Sequence, residues 1–252
     1  MKWQKELNLA KQAAISAGDR LTNFGRNEVI DRSGRDVKHR ADLESEKIIL
    51  DILRSESTYA VLTEESGELG IINKDSPIWI VDPLDGTLNF SQNIQFSCIS
   101  IALWQEKQPI LGVVFDFTHD ELFSGIVGFG AWCNQNPIKI SGIDLPNSAV
   151  LATGFPINRD FSYKGLNTFL QQINQFKKIR LLGSAALSMA YVACGRIDAY
   201  TEEDIMFWDV AAGIVLVKAA GGTVFFQNST NNKWAKNVWA GEVYRETKEK
   251  ST

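Results

Sequence analysis

The stretch WIVDPLDGTLNF, Trp79 to Phe90, sets two aspartates three residues apart with a proline between them, directly behind an apolar run. Trp79, Ile80 and Val81 read as the end of a buried strand, so Asp82 enters the interior. A buried carboxylate is costly unless a partner compensates its charge. Pro83 stiffens the turn and donates no N–H, which can aim the Leu84 carbonyl inward and bring Asp85 to the point Asp82 faces. Gly86 lets backbone approach a ligand closely. The segment TLNFSQN from Thr87 reads as a short helix, whose free amides suit phosphate.

Other carboxylates follow apolar segments in the same way. Glu64 and Glu65 come after YAVLT, and Asp209 comes after Phe207 and Trp208 at the head of an apolar helix. Singly, each has a plainer role: a helix cap for Asp85 or Asp209, a solvated turn for Glu64 and Glu65. Together they form an all-oxygen set suited to hard cations such as Mg²⁺ or Mn²⁺. A cation would also supply the compensation Asp82 lacks. Two cations beside an anion-binding turn is the layout of a metal-assisted phosphoryl hydrolase.

Competing chemistries find no support. The chain has two histidines, His39 and His119, too few for a His-rich zinc site. Neither a G-x-S-x-G elbow nor a G-x-x-x-x-G-K-[ST] loop occurs. The glycines of GIVGFGAW lack the strand–turn–helix setting of a dinucleotide loop and read as a β-hairpin. With 252 residues, 44% hydrophobic, 22% charged and a net charge of −4, the balance is that of a globular protein. Lys and Arg are scattered, so nucleic acid is not an expected partner, and no apolar run is long enough for a membrane span. The N-terminus alternates charged and apolar residues, unlike a signal peptide. Cys98, Cys133 and Cys194 are expected to be buried free thiols of a reducing cytoplasm.

Leu7, Ala10, Ala14, Ala17, Leu21 and Phe24 predict an amphipathic opening helix. RNEVIDRSGRD (Arg26 to Asp36) reads as a short strand and turn, and Asp42 as the N-cap of a second helix. Pro77 to Val81 is a strand. FSCISIALW, PILGVVFDF, DELFSGI and GAWCNQNPIKIS then predict an antiparallel meander. SGIDLPN (Ser141 to Asn147) is the boundary candidate, giving lobes 1–143 and 144–252. The second lobe alternates strands and helices, so the fold class is mixed α/β, of α+β character.

Glu64-Glu65-Ser66, WIVDPLDGTLNF and WDVAAG (Trp208 to Gly213), in that order, resemble the inositol monophosphatase family of Mg²⁺-dependent, lithium-sensitive phosphatases. GSAALSMAYVACGRIDAYTE (Gly183 to Glu202) is also similar to the family's segment before its last motif, so the resemblance covers nearly the whole chain.

The resemblance implies a layered α-β-α-β-α sandwich of the inositol monophosphatase and fructose-1,6-bisphosphatase type. It implies that Glu64, Asp82 and the Leu84 carbonyl hold one Mg²⁺, that Asp82, Asp85 and Asp209 hold a second, and that Glu64 reaches a weaker third. Glu64 and Thr87 would orient and deprotonate a water, and the Gly86 and Thr87 amides would bind phosphate. The phosphoryl group would pass directly to water. Gly183, Ser184, Ala185 and Glu202 would contact substrate, although Gly183 to Ala185 also read as a plain strand-to-helix turn and Glu202 as a surface carboxylate. Asp42 would lie near the third ion.

The stretch DVKHRAD, Asp36 to Asp42, departs from the family's pattern. His39 stands where a threonine is usual and reads as a turn residue, and Arg32 or Arg35 would substitute for an upstream basic residue. Leu88 and Asn89 favour the inositol-phosphatase type over the bisphosphonucleotide type. Inositol 1-phosphate is the expected substrate, with histidinol phosphate, fructose 1,6-bisphosphate, NADP or other sugar phosphates as alternatives. Homodimers are common in the family. A regulatory or binding protein retaining the fold is the reading of another class.

Overall fold

A computed structural model describes residues 2–24, 29–33, 36–73, 75–155, 161–230 and 232–243, with backbone only for 29–33 and 36–39. In chain order the elements are α1 (Gln4–Thr22), β1 (Val29–Ser33), β2 (Asp36–His39), α2 (Arg40–Glu56), β3 (Ala60–Thr63), β4 (Gly67–Leu69), β5 (Ile78–Asp85), α3 (Thr87–Ser91), β6 (Cys98–Gln105), β7 (Gln108–Asp116), β8 (Glu121–Ile126), β9 (Gly130–Cys133) and β10 (Asn136–Ile138). A 3₁₀ turn at Pro146–Ser148 leads to β11 (Val150–Thr153), α4 (Tyr163–Ile173), β12 (Lys178–Arg180), α5 (Ala185–Ala193), β13 (Ala199–Met206), α6 (Phe207–Ala219), β14 (Val224–Asn228) and β15 (Ala235–Ala240).

Strands β3 to β10 form one eight-stranded sheet in the order β10-β9-β8-β7-β6-β5-β3-β4. From β6 to β10 it is the expected meander, β5 pairs antiparallel with β6, and β3 joins β5 in parallel. GIVGFGAW is indeed the β8–β9 hairpin. A second sheet runs β12-β11-β13-β15-β14.

Strand alternation assigns the layers. On β6, Ile99, Ile101 and Leu103 face α1 and α2, while Cys98, Ala102 and Trp104 face α5 and α6. On the second sheet, Ala152 and Tyr200 face α5 and α6, while Leu151 and Ala199 pack with Ile173 at the end of α4. The result is a five-layer α-β-α-β-α sandwich. Helices α5 and α6 carry buried side chains around their whole circumference, as a helix between two sheets must. Gly112 and Gly213 permit this close stacking: a Cβ at Gly112 would lie 2.7 Å from the Ala212 carbonyl oxygen.

Several expectations change. Strand β5 does not stop at Val81 but continues to Asp85. Asp42 is not an N-cap: it lies inside the first turn of α2, which starts at Arg40. Helix α6 likewise starts two residues before Asp209. His39 ends strand β2 rather than sitting in a turn. Cys98 is buried, but Cys133 and Cys194 are only partly so; all three are free. The side chains of Arg32, Arg35, Asp36 and His39 lie outside the described residues.

Candidate active site

The motif's geometry follows from one irregularity in β5. Asp82 pairs with Ser100 and Asp85 with Cys98, so three steps on β5 match two on β6. The extra residue is a β-bulge at the proline, which has no N–H to give the ladder. In a regular strand, residues three apart point to opposite faces. The bulge restores the parity, so Ile80, Asp82 and Asp85 all face α5 and α6, while Leu84 packs on the α1–α2 side. Glu64, two residues past inward-facing Leu62, leaves β3 on the same side, and Asp209 meets the group from the first turn of α6.

These four carboxylates act on one another. Asp82 is 1% exposed, and it lies within hydrogen-bonding reach of both Glu64 and Asp209. Burial, then the charges of Asp42 and Glu65, push Glu64 up to about 8. Burial, then Glu64, Asp85 and Asp209, hold Asp82 well above the usual carboxylate range. Asp209 is raised by burial first, then by Glu64, Asp85 and Glu202. Burial lifts Asp85 to about 6, against the lowering effect of Ser184 and the amides at the start of α5.

The donor set fits hard cations. Among the described residues, none of the four carboxylates forms an ion pair with Lys, Arg or His. Two carboxyls in hydrogen-bonding contact need a proton between them, and a cation can replace that proton while satisfying both. No three His, Cys, Asp or Glu side chains among the described residues already close as a finished coordination shell. The fit therefore rests on the charge imbalance and the oxygen donors.

The surroundings hold the set in place. Thr87 Oγ1 lies 2.8 Å from Asp42 Oδ1 and 3.0 Å from the Leu84 carbonyl oxygen, its one proton serving either acceptor. Gly86 has φ 87°, and a Cβ there would lie 2.9 Å from the Phe96 carbonyl oxygen, so the residue must be glycine on both counts. Asp85 does cap a helix, though not its own: its Oδ2 accepts from the Ala186 amide at 2.7 Å and the Ser184 hydroxyl at 2.6 Å, at the head of α5. Ser184 Oγ also accepts from the Leu187 amide. Ala185 is buried, leaving Gly183 as the exposed residue of that loop.

Glu202 is not a surface carboxylate. It is 7% exposed, accepts from the Tyr200 hydroxyl at 2.7 Å and lies against Gly154, where a Cβ would meet its Oε1 at 2.5 Å. Asn89 is buried and donates from Nδ2 to the carbonyls of Phe96 and Leu182, both at 2.8 Å. It thereby braces the Gly183 loop, while Leu88 is exposed.

Two supporting residues escape a reading for active-site chemistry. Ser45 donates to the Pro83 carbonyl at 2.7 Å, fixing the bulge. Glu46 accepts from the Thr63 hydroxyl (2.6 Å), the Ser66 amide (3.1 Å) and the Ser66 hydroxyl (2.6 Å), fixing the turn that carries Glu64. Their signal is periodic: Asp42, Ser45 and Glu46 continue, in polar form, the buried stripe of Ile49, Leu50 and Leu53. Glu46→Ala strands the buried Thr63 hydroxyl and releases both donors of the exposed Ser66, at about 1–3 kcal/mol. A fall in Tm of roughly 3–10 °C is expected by calorimetry, and an unchanged Tm would refute the bracing role.

The family model for the inositol monophosphatase family matches residues 2–250. An inositol-1-monophosphatase of Synechocystis is 39% identical over 230 residues, covering 88% of this chain and 78% of that protein. The Nus factor SuhB of Escherichia coli K12 is 35% identical over 242 residues, covering 93% of this chain and 90% of that one. The solved inositol monophosphatase of Anabaena superposes with a TM-score of 0.84 at 35% identity, covering 99% of this chain and 96% of that structure. With the three acidic segments gathered on one inner face, and a family match from end to end, the chain belongs to the inositol monophosphatase family.

Proposed function

We propose that the protein is a Mg²⁺-dependent phosphomonoester hydrolase acting on inositol 1-phosphate. The observation that carries this is the bulge that turns Asp82 and Asp85 to one face beside Glu64 and Asp209. Glu64, Asp82 and the Leu84 carbonyl would hold one ion, and Asp82, Asp85 and Asp209 a second; Asp42 and Glu64 border the place for a third. Mn²⁺ suits the same oxygens. The bound ions would acidify a water and offset the charge of the transferred phosphoryl group.

The chain's own groups then divide the work. Glu64 accepts the water's proton. Thr87, held by Asp42, orients that water through its hydroxyl. The Gly86 and Thr87 amides steady the phosphate, and the phosphoryl group passes directly to water. Gly183 at the exposed edge of its loop, and Glu202 beyond Asp209, would meet the substrate's hydroxyls, and Ser184 and Ala185 would shape that loop from behind. We place the enzyme in the cytoplasm, as a homodimer. No helix among the described residues is long and apolar enough to cross a membrane.

The test is a purified-enzyme comparison of kcat/KM over inositol 1-phosphate, histidinol phosphate, fructose 1,6-bisphosphate and NADP with Mg²⁺. A rank order led by another ester would move the substrate assignment, and no Mg²⁺-dependent turnover on any would remove the hydrolase reading. Glu202→Ala is expected to change the ratios among these substrates by about tenfold, since an unpaired hydroxyl or carboxylate discriminates strongly. Unchanged ratios would take Glu202 out of recognition. A second reading is favoured by the relatives named Nus factor SuhB: a regulatory role carried by the same fold. It would stand alone only if the purified protein bound Mg²⁺ without turnover.

A further inference from the structure

A cavity of about 570 Å³ opens on the inner side of the first sheet, away from the acidic cluster's own ligands. Its walls are aromatic. Trp104 meets Phe207 edge to face at 4.9 Å and Phe226 at 5.5 Å, and Trp234 closes one side. Of the described charged residues lining it only Lys236 is buried, at 6% exposure; Asp75, Glu106, Lys107 and Lys233 are exposed.

Lys236 is under-satisfied. Its ammonium has three donors, and its one hydrogen-bond acceptor among the described residues is Asn228 Oδ1, at 3.1 Å. It also lies 4.7 Å from the centre of the Phe207 ring. No carboxylate pairs with it among the described residues. Burial, and then the nearby Lys107, lower its pKa. A buried cation without a counter-ion, beside a second cation and set in aromatic walls, is complementary to a flat apolar body bearing one negative charge.

The cavity also touches the active site's framework in a regular way. Leu62, Ile80 and Phe207 line it. Each stands two residues before a carboxylate of the cluster: Glu64, Asp82 and Asp209. On the strands, that spacing puts wall residue and carboxylate on one face. All three acidic segments therefore run from this cavity into the cluster.

We propose that the cavity is a regulatory site for a small aromatic carboxylate, whose carboxylate pairs with Lys236 and whose occupancy changes the cluster's affinity for divalent cations. The coupling half rests on the metal reading above; the binding half does not.

Calorimetric titration of the full chain with 2-naphthoate and with uncharged 2-naphthylmethanol tests the binding. The wild type should bind one naphthoate and prefer it to the alcohol. Lys236→Met should weaken naphthoate by about tenfold and leave the alcohol within about threefold. Lys107→Gln, at an exposed position, should weaken naphthoate by about two- to fivefold, and it decides the matter if the Lys236 variant does not fold. Equal affinity for acid and alcohol, or no binding of either, overturns the site. Saturating naphthoate should shift Mg²⁺ affinity at least about threefold, with the reverse titration giving the same factor. Mg²⁺ affinity unmoved by bound naphthoate overturns the coupling. Failure of Mg²⁺ to bind at all would instead strike the metal reading and leave the naphthoate result standing.

Discussion

Asp85→Asn is expected to lower Mg²⁺-dependent kcat/KM by about 100-fold or more while leaving the protein folded. A 100-fold loss is about 2.7 kcal/mol of barrier, a modest demand on a residue that would supply a full charge to a cation. Folding should survive because asparagine keeps a carbonyl oxygen for the Ala186 amide, 2.7 Å from Asp85 Oδ2, at the head of α5. Burial already raises the aspartate to about 6, so a neutral side chain suits the site in the absence of metal. Turnover, circular dichroism and calorimetric Mg²⁺ titration separate the two effects. Near wild-type turnover would sink the metal assignment, and loss of the fold would show the α5 cap to be its main role.

The second large effect is a pH dependence that metal reverses. In metal-free protein Asp85 moves up from 3.8 to about 6 and Glu64 from 4.5 to about 8, with Asp82 and Asp209 shifted the same way. An acid whose folded pKa is raised favours the folded state only while protonated. Its contribution is complete below the unfolded pKa and is lost as pH rises through the folded one. With EDTA, stability should therefore decline from about pH 4 to pH 8, by on the order of a few kcal/mol. With saturating Mg²⁺ the decline should vanish, because binding displaces those protons and tightens as pH rises. Thermal unfolding across that range in both buffers checks it. A flat profile in EDTA would mean the carboxylates do not share one buried space.

Most of the fold was legible because periodicity marks long elements well. Helix α1 covers Leu7, Ala10, Ala14, Ala17 and Leu21, the positions whose spacing predicts it, and the meander from β6 to β10 is evident from short turns between apolar runs. What stayed hidden depends on register and burial. Pro83 signals a turn, and only the pairing with β6 shows that the ladder resumes beyond it. Glu202, followed by Glu203 and Asp204, looks solvated, yet β13 folds it inward against Tyr200. Asn89 hints at substrate class in the sequence, yet its amide is engaged by two backbone carbonyls. Ser45 and Glu46 were obscured because a polar residue on an apolar helix stripe declares no partner until the opposing strand is known.

The bulge at Pro83 makes the length of this segment stricter than its composition. Loops usually absorb a one-residue deletion. Here, removing a single residue between Asp82 and Asp85 would leave both aspartates on one face by regular alternation but erase the bulge that presents the Pro83 carbonyl to Ser45 and the Leu84 carbonyl to Thr87. A conservative exchange at Leu84 would leave both aspartates in position. Surveys of tolerated change should therefore find substitutions in this stretch and no gaps.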